Sequence, residues 1–414
     1  MKQLLFSLLF IGFTFFAKAQ SDNKITIGTI ETVHSKILNE DRKVWIYVPG
    51  GYTKGTAKTE HYPVLYLLDG DAHFTSVVGM TEQLSTMNGN TICPKMIVVG
   101  ILNTDRARDL TPTHIESDLP MMSNEASKTT GGNENFIAFI QKELMPYVET
   151  NYPTAPYKML IGHSFGGLTA INTLANHTNL FNSYVSIDPS MWWDKQKFLE
   201  QTKKVFAEKK FKNNTSLFLG IANTMEAGMD TIRVKKDTTQ STRHIRAIFD
   251  LANTLKKNKQ NQLNFEYKYY DKDSHGSVPF IAEYDALRFI FDFYKLDLTY
   301  SDLFDNGMSL PTKVEKHYQN VSEKMGYQIL PPESYINMLG YMALGRKNIA
   351  QGEYFFKLNI KNYPQSANVY DSMGDYYKQV SDKTNAISNY KKALSINKES
   401  AETKQKLEEL EKGK

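Results

Sequence analysis

Between residues 22 and 298 the chain repeats one pattern: a short apolar run, a polar turn, then a stretch with helical spacing. Val44 to Val48, Val64 to Leu68, Met96 to Ile101, Met159 to Ile161, Tyr184 to Ile187 and Leu217 to Ile221 are apolar throughout or nearly so. A strand covered on one face alternates apolar and polar residues; one covered on both faces has no polar side to show. Helical patterns lie between or after the runs, at Asn135 to Thr150, Phe165 to Asn176, Thr242 to Lys257 and Phe280 to Tyr294. The pattern predicts a mostly parallel sheet flanked by helices, an α/β domain over residues 20–298. Residues 102–134 form a polar connection long enough to be functional or mobile.

The N-terminus reads as an export signal. Met1-Lys2 is basic, Leu4 to Phe16 is almost entirely apolar, and Ala17-Lys18-Ala19 has the form of a cleavage site. Removal of residues 1–19 takes two lysines and no acids, lowering the net charge from +4 to +2. The expected product is periplasmic or secreted and has no membrane span. A near-neutral balance excludes a dedicated nucleic-acid binder. The lysines at 203, 204, 209, 210 and 212, interleaved with Phe206 and Phe211, read as the solvated side of a helix. Cys93 is the only cysteine, so no internal disulfide forms, and its apolar neighbours predict burial.

After residue 299 only helical patterns remain. Leu339-Gly340 recurs as Met373-Gly374, and Phe356 as Tyr390, at a spacing of 34 residues. That period, with small and aromatic residues alternating, is that of a tetratricopeptide repeat. The expected organisation is a helical connector over 299–332, then two repeats and a capping helix over 333–414. The repeats are expected to pack on the first domain or on a helix near Lys313 to Lys324, and a protein partner could dock on them.

One motif carries chemistry. Gly162-His163-Ser164-Phe165-Gly166 follows an apolar run and opens a helix. Strand, sharp turn and helix make a nucleophile elbow, with Ser164 exposed above the sheet and the Phe165 N–H available to an oxyanion. A serine needs a base, which in such a fold comes last in the chain. His275, in Asp273-Ser274-His275-Gly276-Ser277 after the run Phe265 to Tyr270, fits that place. His73 is its nearest rival; His244 and His317 lie in helical patterns and are expected at the surface. The acid is expected after Leu217 to Ile221, with Glu226 ahead of Asp230. A second oxyanion N–H is expected from Asp71, in Asp69-Gly70-Asp71. Met191-Trp192-Trp193 just beyond a strand end suits either a pocket wall or a packing anchor.

With these residues in place, residues 25–298 resemble the putative esterase family of α/β-hydrolases, which includes siderophore, S-formylglutathione and feruloyl esterases. The resemblance rests on Tyr66-Leu67-Leu68-Asp69-Gly70-Asp71, Arg106 to Thr113, Gly162 to Gly167, Asp188 to Trp193 and Ser274-His275-Gly276. It implies an α/β-hydrolase fold and hydrolysis of a small ester through an acyl-enzyme, with no metal or other cofactor. A siderophore lactone or a plant-wall feruloyl or acetyl ester is the expected substrate class. Arg108 is a candidate contact to an acidic or catechol-bearing group, and equally a candidate for an internal ion pair. Two alternatives stay open: acyl transfer on the same triad, and a repeat-mediated binding protein with an inert hydrolase domain.

Overall fold

A computed structural model describes residues 25–50, 60–116, 124–212 and 214–413. The expected signal segment, residues 1–19, lies outside them. Eight strands form one sheet: β1 (Thr29–Ser35), β2 (Glu40–Tyr47), β3 (Tyr62–Leu67), β4 (Ile97–Ile101), β5 (Thr154–His163), β6 (Ser183–Ile187), β7 (Ser216–Ala222) and β8 (Asn264–Tyr270). Their order is β1-β2-β4-β3-β5-β6-β7-β8. β2 runs antiparallel to β1 and β4, and the pairings from β4 through β8 are parallel.

Every residue of β3, β4, β6 and β7 is buried. The uninterrupted apolar runs have a direct cause: successive side chains enter two different cores. Val64, Tyr66 and Leu68 pack on one face with Leu168 and Ile171 of α2 (Phe165–Asn176) and Ile248 of α4 (Arg243–Lys257). Leu65 and Leu67 pack on the other with Phe74 and Val77 of α1 (Gly70–Ser85) and Ala282 and Ala286 of α5 (Val278–Ile290). β8, at the sheet edge, is apolar and polar by turns and half exposed. Of the five clustered lysines, Lys203 and Lys204 lie on α3 (Lys197–Glu208), which buries Phe198, Leu199, Thr202 and Phe206, while Lys209, Lys210 and Lys212 follow its end and do not share its face. This sheet with helices on both faces is the α/β-hydrolase fold.

The long connection after β4 is tied down within its described part. Arg42 is fully buried and donates to Asp109 Oδ2 at 2.6 Å and Leu102 O at 2.8 Å. Its guanidinium lies 5.3 Å from the Phe136 ring centre. Asn133 donates to Asp109 O and to Thr169 of α2. The segment is therefore fixed where it passes the elbow.

The remainder is helical: α6 (Ser309–Met325), α7 (Glu333–Gly345), α8 (Ile349–Asn362), α9 (Ala367–Gln379), α10 (Lys383–Ile396) and α11 (Ala401–Glu411). α6 joins the two parts. Its Val321 and Met325 enter the core beneath the sheet, while Leu310 and Val314 pack with Ile336, Leu339 and Phe355 of α7 and α8. The two helical hairpins cross in the same way. A Cβ at Gly340 would lie 2.7 Å from the Phe356 ring, and one at Gly374 2.4 Å from the Tyr390 ring. The glycine lets each aromatic ring lie against helix backbone.

Candidate active site

Ser164 stands between β5 and α2 with φ 60° and ψ −114°. This positive φ costs free energy at a residue with a Cβ and persists where the surroundings enforce it. Its N–H donates to Ile187 O at 2.9 Å, and its carbonyl accepts from Leu168 N–H. Gly162 has no room for a side chain, since a Cβ there would meet Gly166 O at 2.2 Å. The Ser164 Oγ lies 3.4 Å from Ser190 Oγ. A contact that long leaves the hydroxyl free to turn toward a base.

The neighbouring strand ends bring the other groups. His163 pairs with Ile187 across β5 and β6, so Ser164 and Asp188 lie side by side at the C-terminal ends of these two strands. Asp188 is fully buried, with φ 41°. Its Oδ1 accepts the Ala222 N–H at 3.0 Å. Its Oδ2 contacts His275 Nδ1 at 2.5 Å and His244 Nε2 at 2.8 Å. Burial pushes the Asp188 carboxyl up, but the hydrogen bonds from His244 and His275 outweigh burial and hold it well below the usual carboxylate range. It is a permanent anion beside the imidazole.

This corrects the expected acid. Glu226 is exposed on the loop after β7. Asp230 is spent elsewhere, its carboxylate accepting the Ile232 and Arg233 N–H groups at the start of a short helix. The place beside His275 Nδ1 is filled from β6, one strand earlier than expected. A signal was present: Asp188 directly follows the run Tyr184 to Ile187 and precedes Pro189. His244 was also misplaced by its helical pattern. The buried stripe of α4 carries it inward, 19% exposed, to Asp188. His317 is likewise half-buried, with its Nε2 3.1 Å from Tyr294 O.

β3 and β5 are neighbours, so α1 and α2 begin side by side. Asp69 precedes α1 with φ 51° and puts the Gly70 and Asp71 N–H groups at the helix start, as Phe165 N–H stands at the start of α2. Such groups lack an intrahelical acceptor and favour negative charge. The Asp71 side chain is exposed. Asp69 itself accepts from Arg106 Nε at 2.6 Å and Asn103 at 2.7 Å. Arg106 also lies 5.2 Å from the Phe165 ring centre.

Arg106 therefore borders the site, and Arg108 does not. Arg108 donates to both Glu40 oxygens, at 3.1 and 2.8 Å, and to Asp109 at 2.7 Å. It is the internal ion pair of the two readings, because the helical turn between the two arginines points them to different sides. The tryptophans also divide. Trp193 is fully buried and donates to Thr113 O at 3.2 Å, a packing anchor rather than a substrate contact. Trp192 is partly exposed, 6.4 Å from the Phe165 ring, with Arg243 over its face at 5.8 Å.

Behind His275 lies a second polar group. The His163 ring is 4.5 Å from that of His275 and 5.8 Å from that of His73. Burial, helped by the two neighbouring imidazoles, depresses His163 to about 4. His73 Nδ1 is 3.5 Å from Glu283 Oε1, and burial pushes the Glu283 carboxyl up to about 8. Asp188, His244 and His275 have ligand-capable atoms within 4.8 Å of one another. The two N–H···O contacts use those same atoms, so hydrogen bonding accounts for the grouping.

With this geometry in view, relatives can be compared. A ferri-bacillibactin esterase of Bacillus subtilis is 28% identical over 191 residues, which cover 44% of this chain and 65% of the relative. An apo-salmochelin esterase of Escherichia coli is 30% identical over 157 residues, covering 36% and 46%. The chain thus spans less than two-thirds of the length of these relatives. The structure of an IroE-like serine hydrolase from Shewanella oneidensis aligns with a TM-score of 0.66 at 31% identity, over 80% of this chain and 98% of the other. A protein from Capnocytophaga ochracea shares the fold over 93% of this chain and 99% of its own, with a TM-score of 0.61 and 19% identity. The profile of the family described as "Putative esterase" matches residues 35–277, more than half of the sequence, and the chain belongs to that family.

Proposed function

We propose that the protein is a serine carboxylic ester hydrolase whose triad is Ser164, His275 and Asp188. The observation that carries this reading is the 2.5 Å contact of His275 Nδ1 with a buried carboxylate on the strand beside the elbow. With Nδ1–H committed to Asp188, His275 presents Nε2 as the base. It takes the Ser164 proton as Oγ attacks the ester carbonyl. The Phe165 and Asp71 N–H groups receive the oxyanion, where two helix starts supply partial positive charge. The imidazolium, stabilised by Asp188, then protonates the leaving alcohol. Water repeats the sequence on the acyl-enzyme. An intact set of groups favours an active hydrolase over an inert binding domain.

The substrate proposed is a siderophore ester, since several relatives carry siderophore esterase names. Residues 1–19 are proposed to direct export, so the ester would be met in the periplasm or outside the cell. Residues 333–366 and 367–400 are proposed as tetratricopeptide repeats, supported by the equivalent glycine–aromatic crossings 34 residues apart, and as a surface for a protein partner.

The test is hydrolysis of p-nitrophenyl butyrate and of a catecholate trilactone by the mature protein and by Ser164→Ala. Both activities should fall by several orders of magnitude in the variant. Equal turnover by the two proteins would refute the assignment.

A further inference from the structure

The proposed triad accounts for one of the two imidazoles on Asp188. We propose that the second, His244, is a positioning residue that fixes and tempers the Asp188 carboxylate during catalysis; this rests on the esterase reading above. The Asp188 carboxylate accepts three hydrogen bonds from described residues, and each comes from a different part of the fold. Ala222 N–H of β7 holds Oδ1 at 3.0 Å, while His275 from the loop after β8 and His244 from α4 share Oδ2. A carboxylate held by one imidazole alone can rotate about its Cβ–Cγ bond and carry that imidazole with it. Two donors on one oxygen and a third on the other fix its plane.

The ring geometry adds a second restraint. The His244 and His275 rings meet edge to face, with centroids 5.5 Å apart and planes at 82°. His244 thus packs against His275, as does His163 at 4.5 Å. His244 Nδ1 is buried and has no hydrogen-bond partner among the described residues. A ring present for general packing would not require a buried bare nitrogen; an apolar side chain would fill the place without that cost. Its other nitrogen, on the catalytic carboxylate, gives the reason for an imidazole here.

The electrostatic consequence has a definite sign. A donor on Asp188 Oδ2 draws off negative charge that would otherwise favour the His275 imidazolium. Removing it makes His275 more basic and moves the acid limb of the kcat/KM profile to higher pH. The titratable groups behind this pair are His163 of β5, then His73 of α1 and Glu283 of α5; the charged groups adjacent in sequence are turned to other partners, Arg243 to the Trp192 ring and Asp273 to the Ser277 hydroxyl.

The experiment compares the parent with His244→Ala, His244→Gln and Ser164→Ala on p-nitrophenyl butyrate across pH 5–9. A fluorophosphonate counts competent Ser164, and thermal unfolding reports the fold. Loss of a charge-assisted hydrogen bond predicts a fall in kcat of about 10- to 100-fold in His244→Ala. KM should stay near the parent value, and the acid limb should move up by about half a unit to one unit. His244→Gln, whose side-chain amide can donate to Oδ2, should recover most of kcat. Parent kcat and acid limb in His244→Ala, with Ser164→Ala inactive, would overturn the proposal and leave the esterase reading standing. Equal losses in Ala and Gln, with raised KM and a lower unfolding temperature, would also overturn it, as a packing role alone gives that result. Activity retained by Ser164→Ala would instead remove the reading on which it rests.

Discussion

Replacing Asp188 by Asn changes one atom and tests the reassigned acid. Asp188 Oδ1 takes the Ala222 N–H, and an amide oxygen can keep that bond. The amide nitrogen must then face His275 and His244, both of which donate to Oδ2 in the parent. Donor would meet donor. His275 escapes by moving its proton to Nε2, and that places a hydrogen where the base needs a lone pair. The variant therefore loses the correct tautomer and the charge that stabilises the imidazolium. The expected fall in kcat is roughly 10³- to 10⁴-fold, or about 4–5.5 kcal/mol of transition-state stabilisation. Hydrolysis of p-nitrophenyl butyrate, corrected for folded protein by circular dichroism, is the assay, with Glu226→Gln and Asp230→Asn beside it. Those two should stay within about twofold of the parent, since neither carboxylate touches the imidazole. An Asp188→Asn variant with activity close to the parent, or a crippled Glu226→Gln, would refute the reasoning.

Glu283 makes a pH prediction. Burial raises its carboxyl from 4.5 to about 8, so the folded chain keeps a proton that the unfolded chain releases. Its contribution thus lowers stability as pH rises from 4.5 to about 8. Glu283→Gln should flatten that decline, with a gain of at most about 4 kcal/mol at pH 8 in denaturant unfolding. Arg42→Met leaves the buried Asp109 with Arg108 as its remaining guanidinium partner and should destabilise by at most about 3–5 kcal/mol, whereas Arg108→Gln should leave KM for the ester within about twofold. Gly374→Ala forces a methyl into the Tyr390 ring and should cost about 1–3 kcal/mol. Gly345→Ala, whose added methyl meets nothing within 4 Å among the described residues, is its control in thermal unfolding.

Much of the molecule can be read from local pattern because local pattern reports burial. Apolar runs without alternation required a sheet covered on both faces, and Gly162 with Gly166 around Ser164 required a turn too tight for side chains. The 34-residue spacing of small and aromatic residues foretold the equivalent hairpin crossings at Gly340 and Gly374. Arg108 and Trp193 were harder. Both belong to motifs beside the site, yet a motif does not say which way each side chain turns, and partners distant in sequence, Glu40 and Thr113, turn these two inward.

The sequence by itself determined the setting of Ser164, since strand, turn and helix around it are contiguous and the steric demand acts between residues four apart. It determined equally that a parallel sheet would surround that turn. Which carboxylate meets His275 was decided only by tertiary structure. Asp188 and His275 are 87 positions apart, and their contact depends on β6, β7 and β8 lying in that order with their ends level. His244 arrives by the same route, because the face that α4 buries is set by the sheet beneath it.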